Sequence, residues 1–146
     1  MDRKLKIAIV STTSSVIKSF MINHIRTLSS KYAIFVYCNN ADELKISLPD
    51  NVVLTNINIK RKPDFFNDIL IFLKLTKYFS TIRFDFCLSI TPKAGFIAML
   101  SSSITRIPNR VHWFTGQIWR NFTGFKSFLF KFLDKITFKL SHHVIV

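Results

Sequence analysis

The amino-acid sequence predicts an α/β fold, a Rossmann-like three-layer domain with a mainly parallel sheet. Short apolar runs alternate with segments of helical periodicity, which is the pattern of successive βαβ units. The apolar runs are continuous, as expected for strands covered on both faces. Only 3 glycines occur in 146 residues, and this scarcity disfavours a turn-rich all-β fold. The length predicts a single domain over residues 1–146, and the 49% hydrophobic content excludes a disordered chain.

Six strands are predicted from the short apolar runs. They cover residues 5–10, 33–38, 51–59, 84–90, 110–114 and 143–146. Parallel strands joined by right-handed crossovers bind ligands outside their carboxyl ends. This rule selects three segments as site candidates, 11–15, 91–95 and 115–119.

Four helices are predicted between the strands. The first covers residues 16–32, the second runs from the Pro63–Asp64 turn to about residue 82, the third opens at 91–93, and the fourth covers 124–140. Along the second helix one stripe carries Phe66, Ile69, Leu70, Leu73 and Lys77. The third has a face of small residues around Gly95 and Ala98.

The fourth helix has an apolar side flanked by lysines. The apolar side carries Phe125, Phe128, Leu129, Phe132, Leu133, Ile136 and Leu140, and the flanks carry Lys126, Lys131, Lys135 and Lys139. This pattern is typical of a core helix packed on a sheet, and also of a basic amphipathic helix that lies on anionic lipid. Both interpretations hold together if Phe130 and Phe138 face outward.

The charge is strongly basic, with 21 Lys and Arg against 8 Asp and Glu, a formal +13. A positive surface field favours a phosphate-bearing ligand, an anionic membrane surface or nucleic acid. A lysine-rich composition throughout the proteome of the source would explain the same excess. Nucleic acid is disfavoured, because the basic residues are scattered and no known DNA- or RNA-binding motif occurs.

Cysteine usage and targeting signals point to the cytoplasm. Cys38 and Cys87 lie inside apolar runs without metal-ligand spacing, so they are expected to be buried free thiols in a reducing compartment. No secretory signal is recognisable, and the apolar stretch 96–100 is far too short to span a membrane. Peripheral attachment to the inner face of the cell membrane stays open.

The first candidate segment, 11–15, excludes several common chemistries. It contains no glycine, so it is not a dinucleotide-binding GxGxxG loop, and no GxxxxGK[ST] occurs in the chain. The sequence shows no paired-carboxylate site, no HExxH and no metal-ligand set, and we expect neither cofactor nor metal. The hydroxyls of Ser11, Thr12 and Thr13 are expected either to bind a sugar or to cap the following helix.

The densest polar and aromatic cluster spans residues 110–120, at the end of the fifth strand. Trp119 can stack on a pyranose and the Gln117 amide can bond two hydroxyls, so we predict sugar binding there. His112 is either a weak candidate for a catalytic residue or, with Trp113, a core residue. Thr115 is a further candidate for binding the acceptor sugar. Gly116 is either another residue of this site or a glycine required only by the turn. Lys93 and Arg120 are candidates for contact with a phosphate, since fixed cations suit a diphosphate.

Several stretches, taken in order along the chain, resemble one protein family. These are 6–13 with the helix after it, 91–95, 106–119, 133–135 and 143–146. The most specific part is the core Phe-Thr-Gly-Gln-x-Trp at 114–119. Through them the chain resembles the amino-terminal domain of GT-B-fold glycosyltransferases of the family-4-like group, bacterial enzymes that build capsule, O-antigen and other surface polysaccharides.

The resemblance implies a two-domain enzyme in which this half binds the acceptor, a polyprenyl-diphosphate-linked sugar or a saccharide. The nucleotide-sugar donor is then a co-substrate held mainly by a carboxy-terminal half that residues 1–146 do not contain. We therefore expect a truncated gene product or one subunit of a split enzyme, inactive without a donor-binding partner. The position where many relatives carry a catalytic histidine is Thr115 or Gly116 here. A basic module that binds membrane or nucleic acid without catalysis is the alternative.

Overall fold

The computed structural model describes residues 3–146 and contains one sheet of six parallel strands. The strands are β1 (Lys6–Thr13), β2 (Ala33–Asn39), β3 (Val53–Asn56), β4 (Phe86–Ile90), β5 (Asn109–Trp113) and β6 (His143–Ile145). Their order across the sheet is β3-β2-β1-β4-β5-β6, and every neighbouring pair is parallel. The predicted α/β, Rossmann-like fold is confirmed.

Five α-helices and two short 3₁₀ helices connect the strands. The helices are α1 (Ser14–Phe20), α2 (Ile22–Leu28), α3 (Phe65–Ile82), α4 (Pro92–Ile104) and α5 (Gly124–Leu140). The 3₁₀ helices are η1 (Ala41–Leu44) and η2 (Ile118–Asn121). Asp64 begins α3 as its N-cap by accepting a 3.3 Å hydrogen bond from the Asn67 amide.

Two apolar layers enclose the sheet. On one face α3 and α4 pack over Ala8, Val10 and Cys87. On the other face α1, α2 and η1 cover a cluster that includes Ile9 and Val36. Successive residues of β1 therefore enter opposite layers, as the alternation of side chains along a strand requires. Because strand order reverses beside β1, the carboxyl ends of β1 and β4 form the switch point where ligands bind in such sheets.

Some predicted boundaries were wrong. The segment 11–15 is not a loop, since β1 continues to Thr13 and α1 begins at Ser14. The predicted helix 16–32 is interrupted at Met21, which divides it into α1 and α2. The third strand is limited to Val53–Asn56, because only those residues pair with β2. Ser and Thr residues occur in strands as well as in turns. The hydroxyl-rich composition of segment 11–15 therefore did not locate the end of β1 correctly.

The stripe predicted for the second helix lies on the outer side of α3. Ile71, Leu75 and Phe79 are the residues buried against the sheet, whereas Phe66 and Leu70 are exposed. The first half of α3 is apolar on nearly every side. Its periodicity therefore did not single out the face that packs.

Helix α5 is only partly covered, which corrects the interpretation that its apolar side forms ordinary core. Thr137 is the buried residue of α5, while Phe125, Phe128 and Phe132 are exposed. The helix packs on α4 and on η2 and leaves much of its aromatic side in solvent. Of the two residues whose outward orientation would make both interpretations compatible, Phe138 is exposed, whereas Phe130 is half-buried and stacks on Phe122.

Both cysteines are buried free thiols, as predicted. Burial raises the pKa of the Cys38 and Cys87 thiols to about 12, so neither forms a thiolate at neutral pH. Among residues 3–146, no helix has the length and apolarity needed to cross a bilayer.

Candidate functional site

The hydroxyl residues at the end of β1 lie at the switch point, but mostly inside the protein. Ser11 and Thr12 are buried and Thr13 is half-buried. The Thr12 hydroxyl shares a 2.5 Å hydrogen bond with the Thr91 hydroxyl and so ties the carboxyl ends of β1 and β4 together. Thr13 is the N-cap of α1, yet its side chain makes no capping hydrogen bond. Thr13 is therefore the residue of this group best placed to meet a ligand.

Thr91 has an unusual backbone at the exit of β4. Its φ of +76° lies in the region that a β-branched residue rarely adopts. Pro92 follows at the first position of α4, where its fixed φ suits the helix start. Strained residues of this kind persist only where the surrounding structure holds them in place. They are found most often at binding and active sites. The strain thus marks the β4–α4 junction as a candidate, in agreement with the choice of segment 91–95.

His112 belongs to the core beneath this junction. Its ring is fully buried, and its Nδ1 shares a 2.7 Å hydrogen bond with the Ser89 hydroxyl. Phe114 meets the ring edge-on at 4.3 Å between centroids. Burial lowers the pKa of His112 to about 4, so the ring is neutral at physiological pH. In this position His112 cannot touch a substrate.

Gly95 provides the space for that ring. A Cβ on Gly95 would lie 2.2 Å from His112 Cε1. The His112 ring approaches the backbone of α4 so closely that residue 95 must lack a side chain. The φ angle of Gly95 is ordinary, so backbone conformation is not the reason for a glycine here. The small-residue face predicted for this helix is confirmed, with Gly95, Ala98 and Ser102 all buried.

Lys93 is already paired within the protein. Its Nζ lies 2.7 Å from Asp68 Oδ1 and donates a 2.7 Å hydrogen bond to the Lys62 carbonyl oxygen. The pair is largely buried, with side-chain exposures of 19% and 25%. A phosphate would have to compete with Asp68 for this ammonium group.

The segment 115–119 is the most accessible part of the predicted site. Thr115, Gly116 and Gln117 are exposed in an open stretch between β5 and η2. Trp119 is half-buried on η2, where Lys131 Nζ lies 4.5 Å and Arg120 Cζ 5.7 Å from the centroid of its ring. Cations over an aromatic face are attracted by its quadrupole, so a sugar stacking on Trp119 must share the ring with them.

The structure adds a carboxylate that the sequence did not single out. Glu43 on η1 accepts a 2.9 Å hydrogen bond from the Ser14 hydroxyl and lies 3.3 Å from Lys18 Nζ. The Ser14 bond, followed by the Lys18 contact, lowers the pKa of Glu43. Ser14 and Glu43 are 29 positions apart, so no local sequence pattern indicates their contact. The carboxyl ends of β1 and β2 bring them together.

An apolar groove opens beside these elements. It has a volume of about 590 Å³ and lies between the first half of α3, the first half of α4 and the segment from η2 into α5. Its apolar lining includes Ile69, Phe72, Phe96, Leu100, Ile118 and Leu129. Arg61 and Lys62 contribute to its walls, together with the Lys93–Asp68 pair and Asp134. Burial raises the pKa of Asp134 to about 6.

No group of three or more His, Cys, Asp or Glu side chains within residues 3–146 is placed to hold a metal ion. The arrangement at the carboxyl edge offers hydroxyls, an amide and an aromatic ring. These are groups that recognise a polyhydroxylated ligand.

Comparison with known proteins finds similarity to a curated sequence and to solved structures, among them the two described below. The chain is 30% identical over 101 residues to the capsular polysaccharide biosynthesis glycosyltransferase CapM of Staphylococcus aureus, a match covering 69% of this chain and 27% of CapM. Its fold is similar to a protein assigned as a UDP-N-acetylglucosamine 2-epimerase of Listeria monocytogenes, with a TM-score of 0.68 and 12% identity, over 98% of this chain and 39% of that one. It is also similar to MurG of Acinetobacter baumannii, with a TM-score of 0.65 and 10% identity, over 96% and 40%. No protein-family model matches the chain.

These findings confirm the resemblance to the amino-terminal domain of a GT-B-fold glycosyltransferase. The two structural matches establish the fold alone, because their sequence identities are low. The sequence match shows similarity to a glycosyltransferase. The matched segment is about a quarter of the length of CapM.

Proposed function

We propose that the chain is the acceptor-binding part of a glycosyltransferase that moves a sugar from a nucleotide-sugar donor to a lipid-linked or saccharide acceptor in surface polysaccharide synthesis. The match to a capsular glycosyltransferase over 101 residues carries this proposal. The site agrees with it, because hydroxyl residues follow β1, where dinucleotide enzymes have glycines, and an exposed Gln117 amide follows β5.

In this proposal the acceptor lies along the carboxyl edge of the sheet. Thr13, Thr115 and Gln117 offer polar groups to sugar hydroxyls, and Trp119 offers its ring. Lys93 and Arg120 serve the diphosphate of a polyprenyl-diphosphate-linked acceptor. The donor is held by a second domain, in the same polypeptide or in a separate subunit. No catalytic role is proposed for His112, because its ring is fully buried.

The acceptor site is tested by calorimetric titration of the chain with a soluble short-prenyl diphosphate-linked sugar. Gln117→Ala and Trp119→Ala are each expected to weaken binding about tenfold, which corresponds to loss of about 1.4 kcal/mol. Asn121→Ala is the matched control, since Asn121 is exposed on the same short helix. Wild-type affinity in both site variants would refute the assignment.

Transfer is tested by adding a donor-binding half from a related enzyme and a radiolabelled nucleotide sugar. The expected result is label in the lipid-linked product only when both halves are present. Product formation by the second half alone would refute the proposed role of this chain.

We also propose peripheral contact between the α3–α5 surface and an anionic membrane at the cytoplasmic face. Phe65, Phe66 and Phe125 are 74%, 80% and 77% exposed there. The exposed Lys126 lies on α5, and the exposed basic turn 60–62 precedes α3. Exposed aromatic residues beside cations favour an anionic bilayer, because the rings enter the interface while the cations meet the headgroups.

Sedimentation with vesicles tests this contact. We expect binding to vesicles of three parts phosphatidylcholine to one part phosphatidylglycerol, little binding to phosphatidylcholine alone, and weakening at high salt. The double substitution Phe66→Ser with Phe125→Ser should abolish binding. Ile46→Ser is the control, because Ile46 is 98% exposed beyond η1, away from this surface. Equal binding by the double variant and the control would exclude the proposed surface.

The alternative of a non-catalytic basic module predicts vesicle or RNA binding without any contribution to transfer. Salt-sensitive RNA binding combined with inactivity in the two-component assay would favour it.

A further inference from the structure

We infer that the groove between α3, α4 and α5 binds a single hydrocarbon chain of a phosphate-bearing lipid, and that Arg61 and Lys62 at its rim join Lys93 and Arg120 in contacting the phosphates. The inference deepens the proposed function and rests on it, because it assigns the lipid portion of the acceptor to a defined cleft. It concerns a pocket that takes up one chain, which is distinct from adsorption of the protein on a membrane surface.

The lining of the groove suits a hydrocarbon. Its walls are side chains such as Phe72, Phe96 and Leu100, which come from two packed helices. The volume of about 590 Å³ lies within the usual range of small-ligand pockets. Lys93 and Asp68, which also line it, neutralise each other at 2.7 Å. A chain entering the groove therefore leaves no isolated buried charge from this pair.

The rim supplies charge complementarity for a phosphate. In the turn before α3, Lys60 is paired with Asp64 at 2.7 Å, whereas Arg61 and Lys62 form no ion pair within residues 3–146 and both border the groove. Besides Asp68, which is paired with Lys93, Asp134 is a carboxylate of the lining that opposes an anion there. Its burial raises its pKa to about 6, so part of its charge is lost in mildly acidic solution.

The groove is continuous with the predicted acceptor segment. Ile118 and Phe122 line it, and Gln117 and Trp119 flank Ile118 in the sequence. A lipid with its chain in the groove thus lies next to the segment proposed to bind sugar. This continuity favours a lipid-linked acceptor over a free saccharide.

The probe is dodecyl phosphate, titrated calorimetrically into the complete chain below the micelle concentration. Butyl phosphate and inorganic phosphate share its charge without its long chain, and dodecyl maltoside shares its chain without the charge. We expect saturable one-to-one binding of dodecyl phosphate, at least tenfold weaker binding of dodecyl maltoside, and no detectable binding of the other two.

Substitutions that fill the groove locate the site. Ile69 and Leu129 line it and are each 41% exposed, so Ile69→Trp and Leu129→Trp fill its space at positions that tolerate size. Each is expected to weaken dodecyl phosphate binding at least tenfold. Leu70→Trp is the matched control, because Leu70 is the next residue of α3 and does not line the groove; it should change affinity less than twofold. Circular dichroism checks that each variant is folded.

Absence of saturable binding, or equal weakening by Leu70→Trp and both filling variants, would overturn the inference. Inorganic phosphate binding as tightly as dodecyl phosphate would overturn it too, since a free anion would then be the ligand. Vesicle adsorption is measured separately. If Ile69→Trp abolished adsorption to vesicles but left the affinity for dodecyl phosphate unchanged, this surface would contact the membrane, and the groove would be refuted as the site that binds a single chain. The titration requires neither the sugar donor nor sugar transfer. If only the glycosyltransferase proposal failed, the protein would therefore still bind dodecyl phosphate but would not support transfer.

Discussion

The contact between Gly95 and His112 allows a quantitative test of how tightly the switch point is packed. In Gly95→Ala the new methyl group would lie 2.2 Å from His112 Cε1, over 1 Å inside the 3.4 Å lower limit of ordinary contact. The ring cannot move easily, because Ser89 holds its Nδ1 at 2.7 Å and Phe114 closes one edge. We therefore expect overpacking to dominate.

Two opposing effects set the magnitude. Overpacking a close-packed core costs about 1–3 kcal/mol. Replacing a helical glycine by alanine contributes about 1 kcal/mol in the opposite direction. With an overlap of this size, the substitution should lower the free energy of unfolding by about 2 kcal/mol net.

Urea denaturation measures this loss, and a double-mutant cycle identifies its cause. In a His112→Ala background the obstructing ring is gone, so Gly95→Ala should become stabilising by about 1 kcal/mol. Gly116→Ala is the control, because a Cβ there meets nothing within 4 Å, and it should change stability by less than about 0.5 kcal/mol. The reasoning is refuted if Gly95→Ala costs the same stability in both backgrounds at unchanged denaturant slope.

Three further predictions concern titratable groups. Asp134→Asn should stabilise the protein at pH 7 and lose this advantage by pH 4. Burial raises the pKa of the Asp134 carboxyl in the folded protein to about 6, so its ionised form opposes folding above that pH. Urea denaturation at a series of pH values measures the difference in stability. Cys38 and Cys87 should not react with a disulfide reagent in the native protein at pH 8, and both should react after unfolding in guanidinium, since burial holds their pKa near 12. Asp68→Asn should strengthen pyrophosphate binding several-fold by releasing Lys93, and unchanged affinity would remove Lys93 from the proposed diphosphate contact.

The strand pattern predicted the layers of the fold well. Continuous apolar runs such as 86–90 are buried on both faces, and a run of this kind has few alternatives to a central strand. The sequence of α4 likewise predicted its packed face, because small residues recur at helical spacing where the helix approaches the sheet. These signals are local, so they can be recognised without knowing the topology.

The face of α3 could not be predicted in the same way. Phe66 and Leu70 are as apolar as Ile71 and Leu75, and tertiary packing alone decides which pair is buried. The contact of Ser14 with Glu43 and the pairing of Lys93 with Asp68 likewise depend on long-range placement. Lys93 was a reasonable phosphate candidate from its position, but its partner on α3 was not recognisable in the sequence.

The division of polar groups on the carboxyl side of the sheet has a consequence for the proposed function. At the centre, Thr12 and Thr91 bond to each other, Lys18 pairs with Glu43, and the groups that remain accessible on Thr13 and the 115–117 segment are neutral. Arg61 and Lys62, which form no ion pair within residues 3–146, lie at the rim of the apolar groove. Neutral hydroxyls and amides suit a sugar, whereas a fixed cation beside apolar walls suits the phosphate end of a lipid. The two parts of a lipid-linked acceptor would then be recognised by different elements, which predicts that substitutions at Gln117 change sugar selectivity while substitutions at Ile69 change the dependence on chain length.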